Sequence, residues 1–229
     1  MSRKDLLPIT LGAQRETWRM GDGEHERDEE FRLIRPKILE RDNFSCRFCG
    51  FYSRSYQEVH HLDDDHQNNR QENLVTACPF CHSCFHIGYA GLMREGFLIW
   101  VSPTENISQA AVNNLARAVY VVSRVPGHDW TDPVKRLMDA VSFRKDSAER
   151  YFGTSNPLVL GDALLSLTAR EYANRNETLM HIRYFPEPRR YNLSADIWPA
   201  ISDFYISKHG PFGALPPKNW PQIVSGITL

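Results

Sequence analysis

The chain has 229 residues, 41% of them hydrophobic, which is enough apolar material for a large core or for two smaller ones. Its formal net charge of −1 and isoelectric point near 6.8 exclude a global electrostatic pull toward nucleic acid or anionic membrane, so any phosphate contact must be local. No run approaches the ~18 consecutive apolar residues of a membrane span, the start MSRKDLLPITLG lacks a signal-peptide core, and a cytoplasmic location is expected.

Residues 1–28 include the charge-rich stretch GDGEHERDEE without apolar periodicity and read as a loosely held leader. Phe31, Ile34, Ile38 and Leu39 then recur at helical spacing, disturbed by Pro36 and ended at Asp42-Asn43, which predicts a short helix. Ser45–Gly50 (SCRFCG) is a knuckle, two thiols two residues apart with a glycine for the tight turn that follows. Tyr56–Leu62 reads as a strand and Asp63–Glu72 as a polar loop. A second knuckle, Cys78-Pro79-Phe80-Cys81, opens a helix expected to run through His86, with Pro79 in the first turn where its missing N–H costs little.

Beyond Gly88 helical periodicity takes over. Phe97–Val101 is a predicted strand, and Ser108–Arg124, Asp132–Phe152, Pro157–Asn174 and Ser194–Lys208 are predicted helices with apolar residues at three- and four-residue spacing. The Pro- and Gly-rich tail of residues 210–229 is expected to run extended. The organisation expected is thus a leader (1–28), a metal-rich domain (29–100), a helical domain (101–209) and the tail.

All five cysteines fall between positions 46 and 84. Two C-x2-C knuckles flanking a strand suit zinc, because each can aim two sulfurs at one ion; Cys46, Cys49, Cys78 and Cys81 are therefore expected to form a structural site whose coordination sphere is closed to water. Cys84 is left over and reads as a small buried residue behind that site.

His60, His61, Asn73, His82 and His86 lie between and just after the knuckles, an arrangement similar to the HNH endonuclease motif. The resemblance implies an α+β fold, an HNH-like ββα-metal (treble-clef) zinc domain followed by a mainly helical half. His60, His82 and His86 could hold a catalytic divalent metal such as Mg2+, Mn2+, Ni2+ or Zn2+ and leave positions for a phosphate oxygen and water. In the motif's mechanism His61 matches the general base and Asn73 the asparagine that braces its loop. Against phosphate binding stand Asp63, Asp64 and Asp65 directly after that base, and the absence of a basic stripe in the helical half. His66 reads as solvated; His25, His128, His181 and His209 read as surface or core packing.

RDNFSCRFCGFYSRSYQEV and NLVTACPFCHSCF resemble the IcmJ (DotN) family of type IVB (Dot/Icm) secretion systems, with a weaker likeness at FRKDSAERYFGTSN and around Ile182–Pro186. That resemblance implies a zinc-binding adaptor of a coupling complex that docks on a coupling ATPase, peripheral to the inner membrane through its partners. The family pattern commonly has other residues where this chain has His60, His61, His82 and His86. Two readings follow, a secretion adaptor and a metal-dependent endonuclease that cleaves DNA.

Overall fold

The computed structural model describes residues 6–13, 29–123, 131–187, 197–210 and 212–213. They form a mixed α+β structure with two small two-stranded sheets. Helix α1 (Glu29–Arg41) buries Phe31, Ile38 and Leu39, and accommodates Pro36 within its length. It ends where Asn43 and Phe44 adopt left-handed φ values of 50° and 52°, a conformation that asparagine tolerates better than most residues.

The first knuckle follows. Cys46 N–H bonds to Phe51 O at 2.8 Å, and Gly50 N–H to Cys46 O at 2.9 Å. Gly50 turns at φ +77°, where a side chain would strain the backbone. Strands β1 (Glu58–His61) and β2 (Leu74–Ala77) pair antiparallel, with Glu58 opposite Ala77 and His61 opposite Leu74. Sequence reasoning missed β2. All four of its residues are buried, so it lacks the alternation that marks a half-exposed strand.

Helix α2 (Pro79–His82) and helix α3 (Ile87–Leu92) replace the single helix expected from the second knuckle through His86. Cys84, Phe85 and His86 each donate to the residue three positions back rather than four, and Ser83 Oγ donates to Pro79 O at 2.7 Å. This tightened turn closes α2 and restarts the chain at Ile87.

Strand β3 (Gly96–Trp100) pairs antiparallel with β4 (Ile182–Pro186), a partner invisible to local pattern because it lies so far along the chain. Between them run α4 (Gln109–Val122), capped by Ser108, α5 (Thr131–Phe152), α6 (Pro157–Ser166), α7 (Ala169–Ala173) and α8 (Arg175–Thr178); α9 (Ile197–Ile206) follows β4. The expected helix Pro157–Asn174 is broken at Leu167–Thr168. Thr168 and Glu171 form a reciprocal capping box that starts a new helix there.

One buried cluster contains the four knuckle cysteines, Val75 and Ile99 together with Val112, Ala116, Val141, Phe185 and Tyr205, so the knuckles and the helices share a core. Residues 6–13 do not behave as a loose leader. Leu7 N–H bonds to Arg47 O, Gly12 N–H to Cys84 O, and Ile87 N–H to Gly12 O at 2.8–2.9 Å, while Leu11 and Ala13 are buried. The rest of the expected leader and most of the expected tail lie outside the described residues.

Asp42 ties the end of α1 to the first knuckle and to β2. Its buried carboxylate accepts bonds from Arg41 at 2.9 and 3.0 Å, from Arg47 at 3.4 Å and from the Thr76 amide at 2.8 Å. Burial opposes its ionisation, but these donors outweigh burial and hold its pKa below the ordinary carboxylate value. Because the folded pKa is the lower one, this stabilisation is full above the unfolded pKa and is lost as pH falls through the folded value. Asp42→Ala should cost about 2–3 kcal/mol in urea denaturation at pH 7 and markedly less at pH 3; an equal cost at both pH values would contradict the assignment.

Candidate metal centre

Each knuckle places two sulfurs on the same side of the chain, and hairpin β1–β2 brings the knuckles together, since β2 leads directly into Cys78. The Sγ atoms of Cys46, Cys49, Cys78 and Cys81 all lie within 4.8 Å of one another, and all four residues are buried. Cys49 Sγ and Cys78 Sγ are 3.7 Å apart. A tetrahedron with metal–sulfur bonds of about 2.3 Å has edges of roughly 3.8 Å, whereas a disulfide would need about 2.05 Å. The donor set therefore fits a metal ion such as zinc.

Hydrogen bonds from the other three sulfurs hold the Cys49 thiol well below its ordinary pKa, while burial pushes those of Cys46 and Cys81 well up. A shared cation would stabilise all four as thiolates together. Helix α4 adds donors: Arg117 Nη2 lies 3.0 Å from Cys78 Sγ and Asn113 Nδ2 lies 3.2 Å from Cys81 Sγ. Cys84 is fully buried but outside the group; its thiol donates to Phe80 O at 3.3 Å, and burial pushes its pKa up.

A second cluster lies beside the first. One ring nitrogen from each of His60, His82 and His86 falls within the same 4.8 Å limit, and these residues are 3%, 6% and 6% exposed. His82 Nε2 and His86 Nε2 are 3.2 Å apart, close to the roughly 3.3 Å edge expected for imidazoles at about 2.05 Å from a tetrahedral ion. Glu58 Oε2 lies 2.7 Å from His82 Nδ1, which leaves Nε2 facing the cluster. Glu58 shares a strand face with His60 two residues on, so alternation alone could have singled it out. His60 stacks on Phe85 at 4.1 Å between ring centroids; burial, then the neighbouring imidazoles, push its pKa well down and favour the neutral form that binds metal.

His61 points away from this cluster. Its ring stacks on Phe31 of α1 at 5.5 Å, and its Nε2 lies 3.0 Å from Asn69 Oδ1. Asn73 organises the adjoining loop: its Oδ1 accepts from Asp63 N–H at 3.1 Å, and its Nδ2 donates to Asp63 Oδ1 at 2.8 Å. Asp63 also accepts from Asp65 N–H and from Asn68, and Asp65 Oδ1 accepts from Gln67 N–H at 2.9 Å, so these carboxylates are spent on the loop although Asp63, Asp64 and Asp65 are all exposed. That folded loop carries His66, expected to be solvated, to a half-buried position 5.3 Å from the His61 ring and 6.1 Å from that of His86. The His181 ring lies 5.0 Å from that of Trp100, tilted by 39°, while His25 and His128 lie outside the described residues.

No protein-family model matches the chain. It is similar to the type 4 apparatus protein DotN of Legionella pneumophila subsp. pneumophila, with 30% identity over 201 residues, a stretch that spans 84% of this chain and 89% of that protein. A likeness of that depth over nearly the whole of both chains is a relationship of entire proteins rather than of a shared motif, and the chain belongs to the DotN (IcmJ) family.

Proposed function

We propose that this chain is a zinc-holding adaptor subunit of a type IVB (Dot/Icm) secretion apparatus, which docks on the coupling ATPase from the cytoplasmic side. The observation that carries the reading is the near full-length likeness to a type 4 apparatus protein. The four-thiol cage supports zinc in a structural role, since four sulfurs leave no position for a substrate. Knuckle, hairpin, second knuckle and short helix follow one another in the order of an HNH-like treble clef. Among the described residues no helix is long and apolar enough to cross a membrane, so attachment to the inner membrane would run through partners.

Deletion of the gene in its own host should abolish translocation of a reporter-tagged secretion substrate, and the tagged chain should co-purify with the coupling ATPase. Translocation at the wild-type level in the deletion strain would overturn the reading.

A metal-dependent endonuclease is the second reading, favoured by the three imidazoles and by Glu58 behind His82. Here a divalent ion on His60, His82 and His86 would polarise the phosphate, with His61 as base and Asn73 bracing its loop. The engagement of His61 with Asn69 under Phe31 speaks against it. Purified protein should leave supercoiled plasmid intact with Mg2+, Mn2+, Ni2+ or Zn2+. Nicking that is abolished by both His61→Ala and His82→Ala would establish the nuclease.

A further inference from the structure

Arg117 is 1% exposed, an extreme position for a side chain that never loses its charge. From α4 its guanidinium reaches into the four-thiol cage: Nη2 is 3.0 Å from Cys78 Sγ, and Nη1 is 3.9 Å from Cys49 Sγ and 2.7 Å from Asn114 Oδ1. It lies 4.2 Å from the centroid of the Phe51 ring, just after the first knuckle, and 5.2 Å from that of Phe80 in the second, so an aromatic ring at each knuckle grips it. One turn earlier, fully buried Asn113 places Nδ2 3.2 Å from Cys81 Sγ while its Oδ1 accepts from Gln109. Asn114 Nδ2 donates to Cys49 O at 3.1 Å. Three neighbouring residues of one helix thus address three of the four cysteines.

A divalent ion held by four thiolates carries a net charge of minus two, which is costly in a buried site unless N–H donors and a cation lie close by. We infer that α4 is the outer coordination sphere of the Cys46/Cys49/Cys78/Cys81 centre, with Arg117 and Asn113 as positioning residues, so that metal occupancy and the docking of α4 on the knuckles are one linked equilibrium. The inference rests on the reading of the four cysteines as a metal site. Linkage works in both directions: metal binding releases the thiol protons and so creates the four-thiolate group of net charge minus two that is the buried guanidinium's counter-charge, and the guanidinium with Asn113 stabilises that negative group and tightens the metal. Arginine suits the position because its planar fork serves two acceptors while its faces lie against rings, which lysine cannot do.

The test uses the full chain, with zinc affinity from chelator competition, the sulfur-to-cobalt charge-transfer band of the Co2+-substituted protein, and amide hydrogen exchange across residues 109–122. Arg117→Lys keeps the charge and loses the fork; it should weaken zinc binding by about 10- to 100-fold and move the cobalt band to lower energy, because sulfurs that lose N–H donors give up electrons more readily. Asn113→Ala should do the same to a smaller degree, and carries the test if Arg117→Lys does not fold. Stripping zinc from the wild type should raise exchange throughout α4. An unchanged band and affinity in the folded variants, or α4 amides that stay protected after metal removal, would overturn the inference. Wild-type protein that takes up neither zinc nor cobalt would instead overturn the metal reading on which it stands.

Discussion

Cys81→Ser is expected to leave the chain unfolded and without zinc at 25 °C, as judged by circular dichroism and by metal analysis of the purified protein. Structural zinc in small modules contributes an apparent ~10–16 kcal/mol at neutral pH, whereas whole domains are stable by only about 5–15 kcal/mol. Losing one of four ligands removes enough of the first quantity to exhaust the second. The damage should extend past residue 100, because the cysteines share a core with Val112, Ala116 and Tyr205, and because Asn113 of α4 donates to Cys81 itself. Cys84→Ser is the matched control. Cys84 is equally buried, yet its thiol donates to Phe80 O and accepts from Asn113 Nδ2 at 3.7 Å, both bonds that a serine hydroxyl can make; the cost should be about 1 kcal/mol with zinc retained. A folded Cys81→Ser protein with unchanged metal content would remove the four-cysteine assignment.

The contrast between these two cysteines shows what the sequence could and could not reveal. A C-x2-C knuckle is a local device: two residues of spacing and a glycine at position 50 determine where both sulfurs point, so the four-thiol group was legible before any fold was known. Helices α4 and α5 were legible for the same reason, since their apolar period lies within one segment. What escaped was set by distant partners. Strand β4 becomes a strand by pairing with β3, which lies more than eighty residues earlier. Arg117 looks like an ordinary helical cation until it is seen 39 residues from Cys78 in sequence and 3.0 Å away in space. One signal was present nonetheless: Asn113 and Arg117 interrupt the Val112–Ala116 stripe at four-residue spacing, and polar groups on a buried helix face need partners. Thr168-Ala-Arg-Glu171, a capping-box pattern inside an expected helix, was equally readable and marks the break between α6 and α7.

The histidine cluster depends on a contact that uses no chemistry at all. Helix α3 begins immediately after His86, which is its N-cap, and α3 packs on α6 through glycines. A Cβ at Gly161 would lie 2.3 Å from Gly88 Cα, and one at Gly91 would lie 2.1 Å from Leu158 N, so backbone meets backbone with no flexible side chain to yield. Gly161→Ala must therefore push α3 away from α6 and carry His86 with it. The expected cost is about 3 kcal/mol, or a Tm lower by about 6–12 °C, accompanied by weaker uptake of Ni2+ or Co2+ by the histidines while zinc in the four-thiol cage is kept. Gly153→Ala separates crowding from backbone strain. Gly153 also departs from ordinary geometry, at φ +92°, but a Cβ there meets nothing within 4 Å. Its replacement should cost only the ~1–2 kcal/mol of a left-handed residue and leave metal uptake unaltered. Equal Tm values for Gly161→Ala and wild type would mean that α3 and α6 can separate freely, and that His86 is held by its histidine neighbours rather than by the helix behind it.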